Sequence, residues 1–502
     1  MEVGVLSWLT SFYRCWFVVA MAVRQSLEKV EEWRKIVNSL REAGVEPYPH
    51  SFRITHSVRA LNELRRQALL EPWVGLVIRT AGRVTDIRRH PNVVFIDLYE
   101  DGARFQVMAD PRHSLLDYIW RGDYIGVEGV IVKTQRGDYA VRASSLVLLA
   151  KAVQPLPEWG KVDRDSPFYM RYRSVAMVLD LQLRWRIAAR AKFIQALREA
   201  MWKRGFIEIP TPVLQPIYGG AAARPFTTKI WAIDEEWYLR ISPELYLKRY
   251  IIAGFPKVFE VGPQFRNEDI DALHNPEFWS LEAYQAYADY NDMMKLTEEV
   301  VYEAVSAVLG TGVVKYRDQT INFSPPWRRI TLHDALREYG GVDPDRLTDD
   351  QIKEKLRELQ VPVKVYNRGI ALVKLFEKLV EKKLVEPTFV LDYPEESTPL
   401  CKPHREKRGL VERFEAFVGG HEVANAYTEL NDPVRQYEYF VREEELFPKE
   451  EAHPLDWDFV EELSFGMPPT GGVGIGIDRL AMVITNAESI KDVIPYPIVK
   501  RA

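Results

Sequence analysis

The amino-acid sequence predicts an α+β protein with two folded parts, an N-terminal five-stranded β-barrel and a larger unit built on an antiparallel sheet flanked by helices. The first observation is length, because 502 residues are too many for one compact domain. The second is the alternation of apolar and polar side chains in short strands between residues 74 and 153. The third is the mixed order of helix and strand patterns from there to the C-terminus, which is typical of an α+β unit.

The composition is that of a folded protein of the reducing cytoplasm. Hydrophobic residues make up 47% and charged residues 28% of the chain, which argues against disorder. The formal net charge of −5 argues against a nucleic-acid binder whose whole surface is basic, although it leaves room for a local basic patch. Cys15 and Cys401 are the only cysteines, so the sequence offers no disulfide framework and no cysteine-built zinc site.

Residues 1–22 form an apolar extension that we expect to be nonessential. Arg14 divides its apolar run into pieces shorter than the ~20 residues of a membrane-spanning helix. A secretory signal would open with positive charge, whereas this segment opens with Glu2. We therefore expect no membrane association, and Met21 is an alternative start of the chain.

Residues 23–65 are predicted to be mainly helical. Apolar side chains recur at helical spacing between Ser26, a candidate N-cap, and Gly44, a candidate helix stop. We expect this stripe to pack against the following domain rather than to bind a partner. Its members are Leu27, Val30, Trp33, Val37 and Leu40.

Residues 66–155 are predicted to form an OB-type barrel. Strands are expected at residues 74–80, 92–99, 104–109, 124–133 and 139–149, with turns at 100–102 and 136–138 and helical character at 111–120. Such barrels commonly bind single-stranded nucleic acid or oligosaccharide. Side chains suited to a nucleic acid are Arg83, Arg88, Arg89, Phe95, Arg104 and Gln106. By themselves, these residues fit a solvated barrel wall equally well.

A linker and the larger unit complete the chain. Pro155, Pro157 and a charged run indicate a linker, which we place at residues 156–180. The larger unit is expected at residues 181–502. Helical patterns at residues 347–359 and 370–384 predict an insertion on its sheet near residues 310–390.

A first pair of predicted strands in the larger unit carries polar side chains on one face. Residues 259–268 read as a strand running into a loop, and residues 274–278 lead into a second strand that ends at residue 287. Side-chain alternation puts Phe278, Ser280, Glu282 and Tyr284 on one face. Because a buried carboxylate without a partner is costly, Glu282 requires a neighbouring cation or a cationic ligand.

A second pair of strands is predicted on either side of a Gly419-Gly420 turn. Alternation puts Asn425, Tyr427 and Glu429 on one face, while Glu415 and Glu422 flank the turn and can approach one another. Two facing carboxylates fit Mg²⁺, which favours a few carboxylates together with phosphate oxygens and water. A solvated acidic pair is the alternative interpretation.

A glycine-rich segment, residues 471–476, is expected to be a loop before an apolar helix. Its glycines would let backbone approach a ligand closely. Arg479 lies at the start of the helix, where its forked donors can meet a phosphate. The segment is not a P-loop, because Lys-Ser/Thr does not follow the glycines.

Together, these three segments resemble the signature motifs of class II aminoacyl-tRNA synthetases. Residues 265–268 with 274–278 resemble motif 2, residues 474–479 motif 3, and residues 204–212 motif 1. Within that class, the strings at residues 219–226, 239–249, 392–400 and 425–433 are similar to lysyl-tRNA synthetases. The resemblance runs from about residue 24 to the end of the chain.

The resemblance implies an enzyme that activates L-lysine with ATP and Mg²⁺ and transfers the lysyl group to the 3′ end of tRNA(Lys). It implies a cytoplasmic homodimer with motif 1 at the interface, and an OB domain for the anticodon. Catalytic roles fall by matching position on Arg266, Glu268 and Arg479, with Arg266 at the α-phosphate and Arg479 at the γ-phosphate.

Further site residues are implied by the same matching positions. Phe278 would stack on adenine, and His274 and Asn275 would line the nucleotide with Glu268. The carboxylates of Glu415 and Glu422 would carry Mg²⁺, with Glu415 also near ATP. The α-amino end of lysine would be held by Gly219, Glu244 and Asn425. The anticodon would be read by Arg83, Phe95 and Gln106.

The predicted pocket has the right charge for lysine. A lysine ε-ammonium is a compact cation with three donors, so a buried pocket must present carboxylates and a phenol. Glu282, Tyr284 and Glu429 supply that set. An aspartate side chain would need the opposite charge, which disfavours the related aspartyl- and asparaginyl-tRNA synthetases.

Three positions depart from the family pattern, and two other functions stay open. Trp231, Asp269 and Cys401 replace residues that are common at these positions, but none removes a charge that the reaction needs. One alternative is lysylation of a protein such as an elongation factor, although relatives of that kind typically have no OB domain. The other is a nonenzymatic regulatory protein with an OB domain, which the charged motif residues disfavour.

Overall fold

The computed structural model describes residues 26–158, 162–362, 366–446 and 454–500. The apolar extension at residues 1–22, together with Cys15, therefore lies outside the described residues. The chain divides into two compact units, one reaching Leu181 and the other beginning at Gln182. Within the described ranges, no helix is both long enough and apolar enough to cross a lipid bilayer.

The first unit contains a closed five-stranded barrel, which confirms the predicted OB-type fold. The barrel order is β1-β2-β3-β5-β4, and β3 and β5 pair in parallel. A 3₁₀ turn at Ser114–Asp117 lies in the segment with predicted helical character. The elements of this unit are α1 (residues 26–42), α2 (Val58–Arg66), β1 (Val77–His90), β2 (Val93–Glu100), β3 (Ala103–Ala109), β4 (Tyr124–Lys133), β5 (Tyr139–Ala150), α3 (Pro167–Arg171) and α4 (Arg173–Leu179).

Strand β1 is longer than predicted. It continues to His90 instead of ending at residue 80, because its first half pairs with β4 and its second half pairs with β2. A bulge between Val84 and Asp86 bends the strand where it changes partner. One long bent strand thus closes the barrel, a long-range feature that local alternation does not reveal.

Helix α1 packs less than its apolar stripe predicts. Leu40, at its C-terminal end, is 2% exposed and belongs to the barrel core. Leu27 and Val30, however, are 65% and 42% exposed. The expectation that the whole stripe packs against the barrel is therefore wrong, since only the last turns of the helix lie on it. Gly44 ends the helix with a positive φ of 73°, as predicted.

The second unit is built on an eight-stranded sheet of order β14-β15-β16-β17-β18-β11-β10-β6. Its six central strands are antiparallel, as predicted, while the two edge pairings are parallel. The elements are α5 (Leu181–Lys203), β6 (Ile207–Glu208), β7 (Leu214–Gln215), β8 (Phe226–Ile230), β9 (Glu235–Leu239), α6 (Glu244–Ile252), β10 (Lys257–Phe265), β11 (Glu277–Ala286), α7 (Tyr290–Leu309), β12 (Val313–Tyr316), β13 (Gln319–Asn322), β14 (Arg328–Thr331), α8 (Leu332–Glu338), α9 (Asp349–Glu358), α10 (Arg368–Leu379), β15 (Thr388–Pro394), β16 (Leu410–Val418), β17 (His421–Thr428), α11 (Pro433–Leu446), α12 (Trp457–Leu463), β18 (Thr470–Gly476) and α13 (Ile477–Ile484).

Helices cover one face of this sheet and leave part of the other face accessible. Side chains of α5, α7 and α13 pack with Leu281, Ala426 and Val473 of the central strands into the largest core. The predicted helices of the 310–390 region are present as α9 and α10, which form a smaller core with α8 beside β14, β15 and β16. The central strands therefore have one sealed face and one face of which part is free for a site.

The barrel contains a buried ion pair and an exposed ion pair that can be compared directly. The ammonium of Lys151 lies 2.8 Å from a carboxylate oxygen of Asp123, and both side chains are almost fully buried. Lys133 and Glu71 form an ion pair of similar length at the barrel surface. The two pairs differ mainly in exposure to solvent.

We predict that Lys151→Met destabilises the barrel by about 3–5 kcal/mol, because it leaves Asp123 buried without its cation. Lys133→Met is the matched control and should cost less than about 1 kcal/mol, since surface ion pairs contribute little. Hydrogen–deuterium exchange of the barrel amides in the full chain measures both effects. Equal exchange rates in the two variants would contradict the prediction.

Candidate active site

A cavity of about 480 Å³ opens on the accessible face of the large sheet. The β11 residues predicted to share a face, Phe278, Ser280, Glu282 and Tyr284, all line it. Of the residues that alternate with them, Leu281 and Ala283 are buried in the helical core. The predicted alternation along this strand is thus confirmed, and it brings an aromatic ring, a carboxylate and a phenol to one wall.

The glycine-rich segment is a strand rather than the loop that the sequence analysis expects. Residues 470–476 form β18, which pairs with β11 on one side and β17 on the other. A Cβ atom at Gly472 would overlap Glu429 Oε1 and the Tyr284 ring. At Gly474 the nearest atom would be Glu282 Cγ at 3.6 Å, an ordinary contact. Because Gly472 has no side chain, the side chains of Glu429 and Tyr284 can occupy the space above it.

Three carboxylates meet at one end of the cavity. Glu282 and Glu429 come from β11 and from the residue after β17, and Glu244 comes from the first turn of α6. Ser242 Oγ lies 3.1 and 3.0 Å from the two carboxylate oxygens of Glu282, and the Tyr284 hydroxyl donates to one of them at 3.4 Å. Among the described residues, no lysine or arginine forms an ion pair with Glu282.

Burial makes these carboxylates hard to ionise. Loss of solvent and the negative charge of Glu244 raise the pKa of Glu282 to about 8. Loss of solvent likewise raises the pKa of Glu429 to about 8, although the ammonium of Lys248 opposes that shift. A cationic group entering the cavity would restore ionisation of both, so this end of the cavity is suited to a positively charged ligand.

Lys248 lies in the family-like string at residues 239–249 but is not among the predicted site residues. Its ammonium lies 2.6 Å from Glu244 and also forms an ion pair with Glu429. Its side chain is 0% exposed. A lysine one helical turn after a glutamate that enters a polar cavity is the sequence signal that could have found it.

The opposite end of the cavity is cationic. The guanidinium of Arg266 lies 5.0 Å from the centre of the Phe278 ring, and its Nε atom is buried without a hydrogen-bond partner. Burial lowers the pKa of Arg266. Arg479 is 3.2 Å from a Glu422 carboxylate oxygen and 3.2 Å from His274 Nε2. An aromatic ring beside one arginine, with a second arginine on the same cavity wall, suits a nucleotide with its phosphates.

Other residues predicted for the nucleotide have distinct positions. Glu268 is exposed at the cavity wall. Asn275 also lines the wall, but its amide donates to the Glu277 carbonyl at 2.6 Å and accepts from the backbone of Ile498 at 3.1 Å. Its side chain therefore holds two backbone segments in place, which leaves little of it for direct ligand binding.

Two of the three residues predicted for the α-amino group line the cavity. Glu244 and Asn425 line the cavity. At Gly219 an added Cβ would lie 2.7 Å from Leu245, so this glycine packs behind the wall, and its neighbour Gly220 lines the cavity instead. Arg413 donates to the Asn425 side-chain oxygen at 3.2 Å and orients it.

Glu415 and Glu422 reach the same face through a bulge. The Gly419-Gly420 turn has the positive φ angles, 64° and 77°, that a tight hairpin requires. The register of β16 and β17 shifts between Ala416 and Phe417, so that consecutive residues Val423 and Ala424 both point into the core. Glu422 is thereby placed on the cavity side with Asn425, which strict alternation from Asn425 would not allow.

These two carboxylates have the donor chemistry of a Mg²⁺ site that is completed by phosphate. Burial and the charge of Glu422 raise the pKa of Glu415 to about 7, although Arg413 opposes the shift. Glu415 also accepts from Arg413 at 2.5 Å and from Tyr393 at 2.7 Å, and it lies behind the cavity wall. No group of three or more possible metal ligands occurs among the described residues. Two carboxylates with phosphate oxygens and water match the preference of Mg²⁺.

Asp478 is a second residue that sequence reasoning missed. One carboxylate oxygen accepts from Arg190 of α5 at 2.6 Å, and the other accepts from the backbone of Trp279 at 2.7 Å. It precedes Arg479 in the first turn of α13. Asp478 thus ties three segments of the cationic end together, including the strand that carries Phe278.

Two of the three departures from the family pattern are exposed side chains. Trp231 is exposed, and Asp269 is an exposed residue of the cavity rim. Cys401 is buried and forms an isolated backbone bridge with Glu429, and its thiol donates to the Thr428 carbonyl at 3.6 Å. A small, buried side chain at position 401 therefore supports the backbone of a pocket carboxylate.

The barrel residues predicted for the anticodon share one outer face. Arg83 pairs with Tyr99, and Gln106 pairs with Asp97, across neighbouring strands. Phe95 lies on β2 between Val94 and Ile96, which point into the barrel core, so its own side chain faces outward. The guanidinium of Arg83 stacks at 4.5 Å on Tyr124. The face offers a cation, a ring and an amide, while the nearby Arg88 is neutralised by Asp97 at 3.0 Å.

The sequence matches two family models. The model described as tRNA synthetases class II (D, K and N) matches residues 165–500. The model described as OB-fold nucleic acid binding domain matches residues 78–149. The first match covers more than half of the chain and contains every residue that lines the cavity.

The sequence is also similar to proteins named lysine–tRNA ligase. The one from Sulfolobus acidocaldarius is 47% identical over 478 residues, which cover 92% of this chain and 95% of that protein. The one from Saccharolobus solfataricus is 46% identical over 478 residues, covering 93% and 96%. The one from Thermotoga maritima is 43% identical over 488 residues, covering 94% and 96%.

The raised pKa of Glu282 predicts a pH dependence of stability. The folded pKa of about 8 exceeds the ordinary value of 4.5, so the unfolded chain ionises first as pH rises. The free energy of unfolding should therefore fall between about pH 4.5 and about pH 8. Glu282→Gln should lessen this fall, and Glu236→Gln, which changes an exposed carboxylate of β9, should leave it unchanged. Denaturant unfolding at several pH values measures the difference, and parallel profiles for wild type and Glu282→Gln would contradict the prediction.

Proposed function

The chain belongs to the class II tRNA synthetases of the D, K and N family, and we propose that its reaction is the ligation of L-lysine to tRNA(Lys) with ATP. The relatives named lysine–tRNA ligase, which match over nearly their whole length, support this reaction. The observation that carries the choice of amino acid is the set of three buried carboxylates at one end of the cavity.

The charge of the pocket selects lysine within the family. Aspartate and asparagine present a carboxylate or a neutral amide, neither of which would balance Glu282 and Glu429. Lysine brings an ε-ammonium whose three donors suit the carboxylates of Glu282 and Glu429 and the hydroxyl of Tyr284. Its α-ammonium is then bound by Glu244, Asn425 and the backbone near Gly219 and Gly220.

Activation proceeds by displacement at the α-phosphorus of ATP. The lysine carboxylate attacks phosphorus, the bond to the bridging oxygen breaks, and pyrophosphate leaves. No protein nucleophile is needed, so the enzyme contributes position and charge neutralisation. Arg266 lies beside both the carboxylate and the α-phosphate, and Phe278 supports the adenine. Arg479, held by Glu422 and His274, binds the γ-phosphate, and Glu268 borders the nucleotide.

Mg²⁺ would be held by Glu415 and Glu422 together with the phosphates of ATP. When bound, the ion neutralises charge on the phosphates as pyrophosphate leaves. Arg413 and Tyr393 orient Glu415 through the hydrogen bonds that they donate. The bulge at Val423 presents Glu422 to the same space.

Transfer to tRNA completes the reaction. The 3′-terminal hydroxyl of tRNA attacks the lysyl carbonyl, and AMP leaves. The barrel reads the anticodon with Arg83, Phe95 and Gln106, because a stacking ring beside a cation and an amide suits unpaired bases. The barrel argues against lysylation of a protein, since that reaction has no anticodon to bind.

The active species is a homodimer that works in the cytoplasm, where tRNA is charged. Motif 1 supplies the interface through α5 and the following segment. Large apolar side chains are exposed there, among them Trp185, Trp202 and Leu214. Such side chains are typical of a surface that a second subunit covers. Sedimentation equilibrium of the full chain tests the dimer.

Pyrophosphate exchange with each amino acid in turn tests the proposal. We predict exchange with lysine and none above background with aspartate or asparagine. Exchange with aspartate would contradict the pocket assignment, and exchange with no amino acid would favour a nonenzymatic protein. Charging of tRNA(Lys) by wild type and Phe95→Ala tests the barrel, and we predict that only charging, not exchange, falls in the variant.

A pair of glycine variants tests the shape of the pocket. Gly472→Ala should raise the KM for lysine by about tenfold or more, because its methyl group overlaps Glu429 and Tyr284. Gly474→Ala should stay close to wild type, since its methyl group has room beside Glu282. The KM for ATP should change little in either variant. An equal loss in both variants would show that the strand, not the pocket, is sensitive.

A further inference from the structure

Lys248 is a buried cation that the reaction above does not use. Its ammonium lies between Glu244 and Glu429, and its side chain is 0% exposed. Glu244 and Lys248 are one helical turn apart on α6, so their side chains meet on the same side of the helix. Glu429 reaches the same point from the strand end beyond β17. One internal ammonium thus binds two of the three carboxylates at the amino-acid end of the cavity.

The charges at this end of the cavity match the two ammonium groups of lysine only when Lys248 is included. Three carboxylates, Glu244, Glu282 and Glu429, face one internal cation, Lys248, which leaves two negative charges. Free lysine has two ammonium groups for this end of the cavity, and its carboxylate is assigned to Arg266 at the opposite end. Without Lys248, the pocket would hold a third negative charge that the substrate does not balance. A buried carboxylate in that position retains a proton.

We propose that Lys248 is a positioning and specificity residue for lysine. Its ammonium is an internal counterion that holds the carboxylates of Glu244 and Glu429 in place. It also sets the net charge of the pocket to the value that a diamino acid balances. This inference rests on the proposed function. The ammonium occupies one side of each carboxylate and leaves the other oxygens for the substrate.

No other cation near Lys248 is placed to take over its two ion pairs among the residues that the structure describes. The titratable and charged groups that face the ion pairs are Glu244, Glu282, Glu429, Tyr284, Tyr427, Cys401, Arg240, Arg266 and Arg413. Both arginines nearest to Glu282 have other tasks, because Arg240 is paired with Glu260 at 2.6 Å and Arg266 lies at the nucleotide. Neither can replace the ammonium between Glu244 and Glu429.

Kinetics of Lys248→Met in pyrophosphate exchange test the proposal. We expect the KM for lysine to rise by about tenfold or more, because Glu244 and Glu429 lose the charge-assisted contacts that hold them in place. The KM for ATP should stay within about twofold of the wild-type value. Glu429 should hold its proton to higher pH once its cation is gone. The rise of kcat/KM for lysine with pH should therefore move upward by about one pH unit. A KM for lysine and a pH profile equal to those of wild type would overturn the proposal.

A second variant keeps the test decisive if Lys248→Met folds poorly. Lys248→Met/Glu244→Gln removes one cation and one carboxylate together, so it restores the charge of the pocket. We expect its pH profile to return toward that of wild type, while the KM for lysine stays raised because Glu244 is a ligand. A profile that remains displaced in the double variant would contradict charge matching.

Two controls separate the possible failures. Lys151→Met removes a buried lysine from an ion pair in the barrel, and it should lower stability without changing the KM or the pH profile for lysine. Equal kinetic effects in Lys151→Met would mean that loss of any buried lysine explains the result. If wild type does not exchange with lysine, the proposed function fails. If wild type does and Lys248→Met behaves like it, only this inference fails.

Discussion

The structure depends on the burial of three carboxylates in one cavity. Ionised carboxylates that lose solvent are costly unless cations or hydrogen bonds compensate them. Lys248 compensates Glu244 and Glu429, and the Ser242 and Tyr284 hydroxyls lie within hydrogen-bonding reach of Glu282. The compensation is incomplete, as the raised pKa values of Glu282 and Glu429 indicate. A cationic ligand would supply the missing compensation, which is why we assign this end of the cavity to lysine.

The sheet makes this arrangement possible through two departures from regular strand structure. β18 has glycine at position 472, so side chains of β11 and the end of β17 share the space above it. The bulge in β17 turns Glu422 toward the cationic end of the cavity, where its carboxylate accepts from Arg479 at 3.2 Å. The acidic and cationic ends of the cavity therefore come from the same strands, and the helical core on the other face fixes both.

Local alternation predicted the parts of the site that lie on regular strands. Phe278, Glu282 and Tyr284 share the predicted face, and so do Asn425 and Glu429. The barrel, the central antiparallel strands and the helices of the insertion were also predictable, because each has a clear local period. The roles assigned by resemblance to a family stay predictions until they are tested on the protein.

The features that sequence reasoning did not find depend on contacts between distant segments. The length of β1 follows from its change of partner, and the strand character of residues 471–476 follows from pairing on both sides. Lys248 and Asp478 act through partners far away in sequence, which are Glu429 just after β17 and Arg190 on α5. The first turns of α1 are exposed although their apolar side chains recur at helical spacing. Such a pattern alone therefore does not ensure that the apolar face is buried.

We expect the partly protonated carboxylates of the buried pocket to become ionised when a lysine ammonium binds. Calorimetric titration of lysine into the protein, in buffers with different ionisation enthalpies, counts the protons exchanged on binding. Near neutral pH we predict net proton release, because the bound ammonium lowers the pKa of Glu282 and Glu429 from about 8. Binding of lysine without proton release would mean that Glu282 and Glu429 are already ionised before lysine binds, contrary to this expectation.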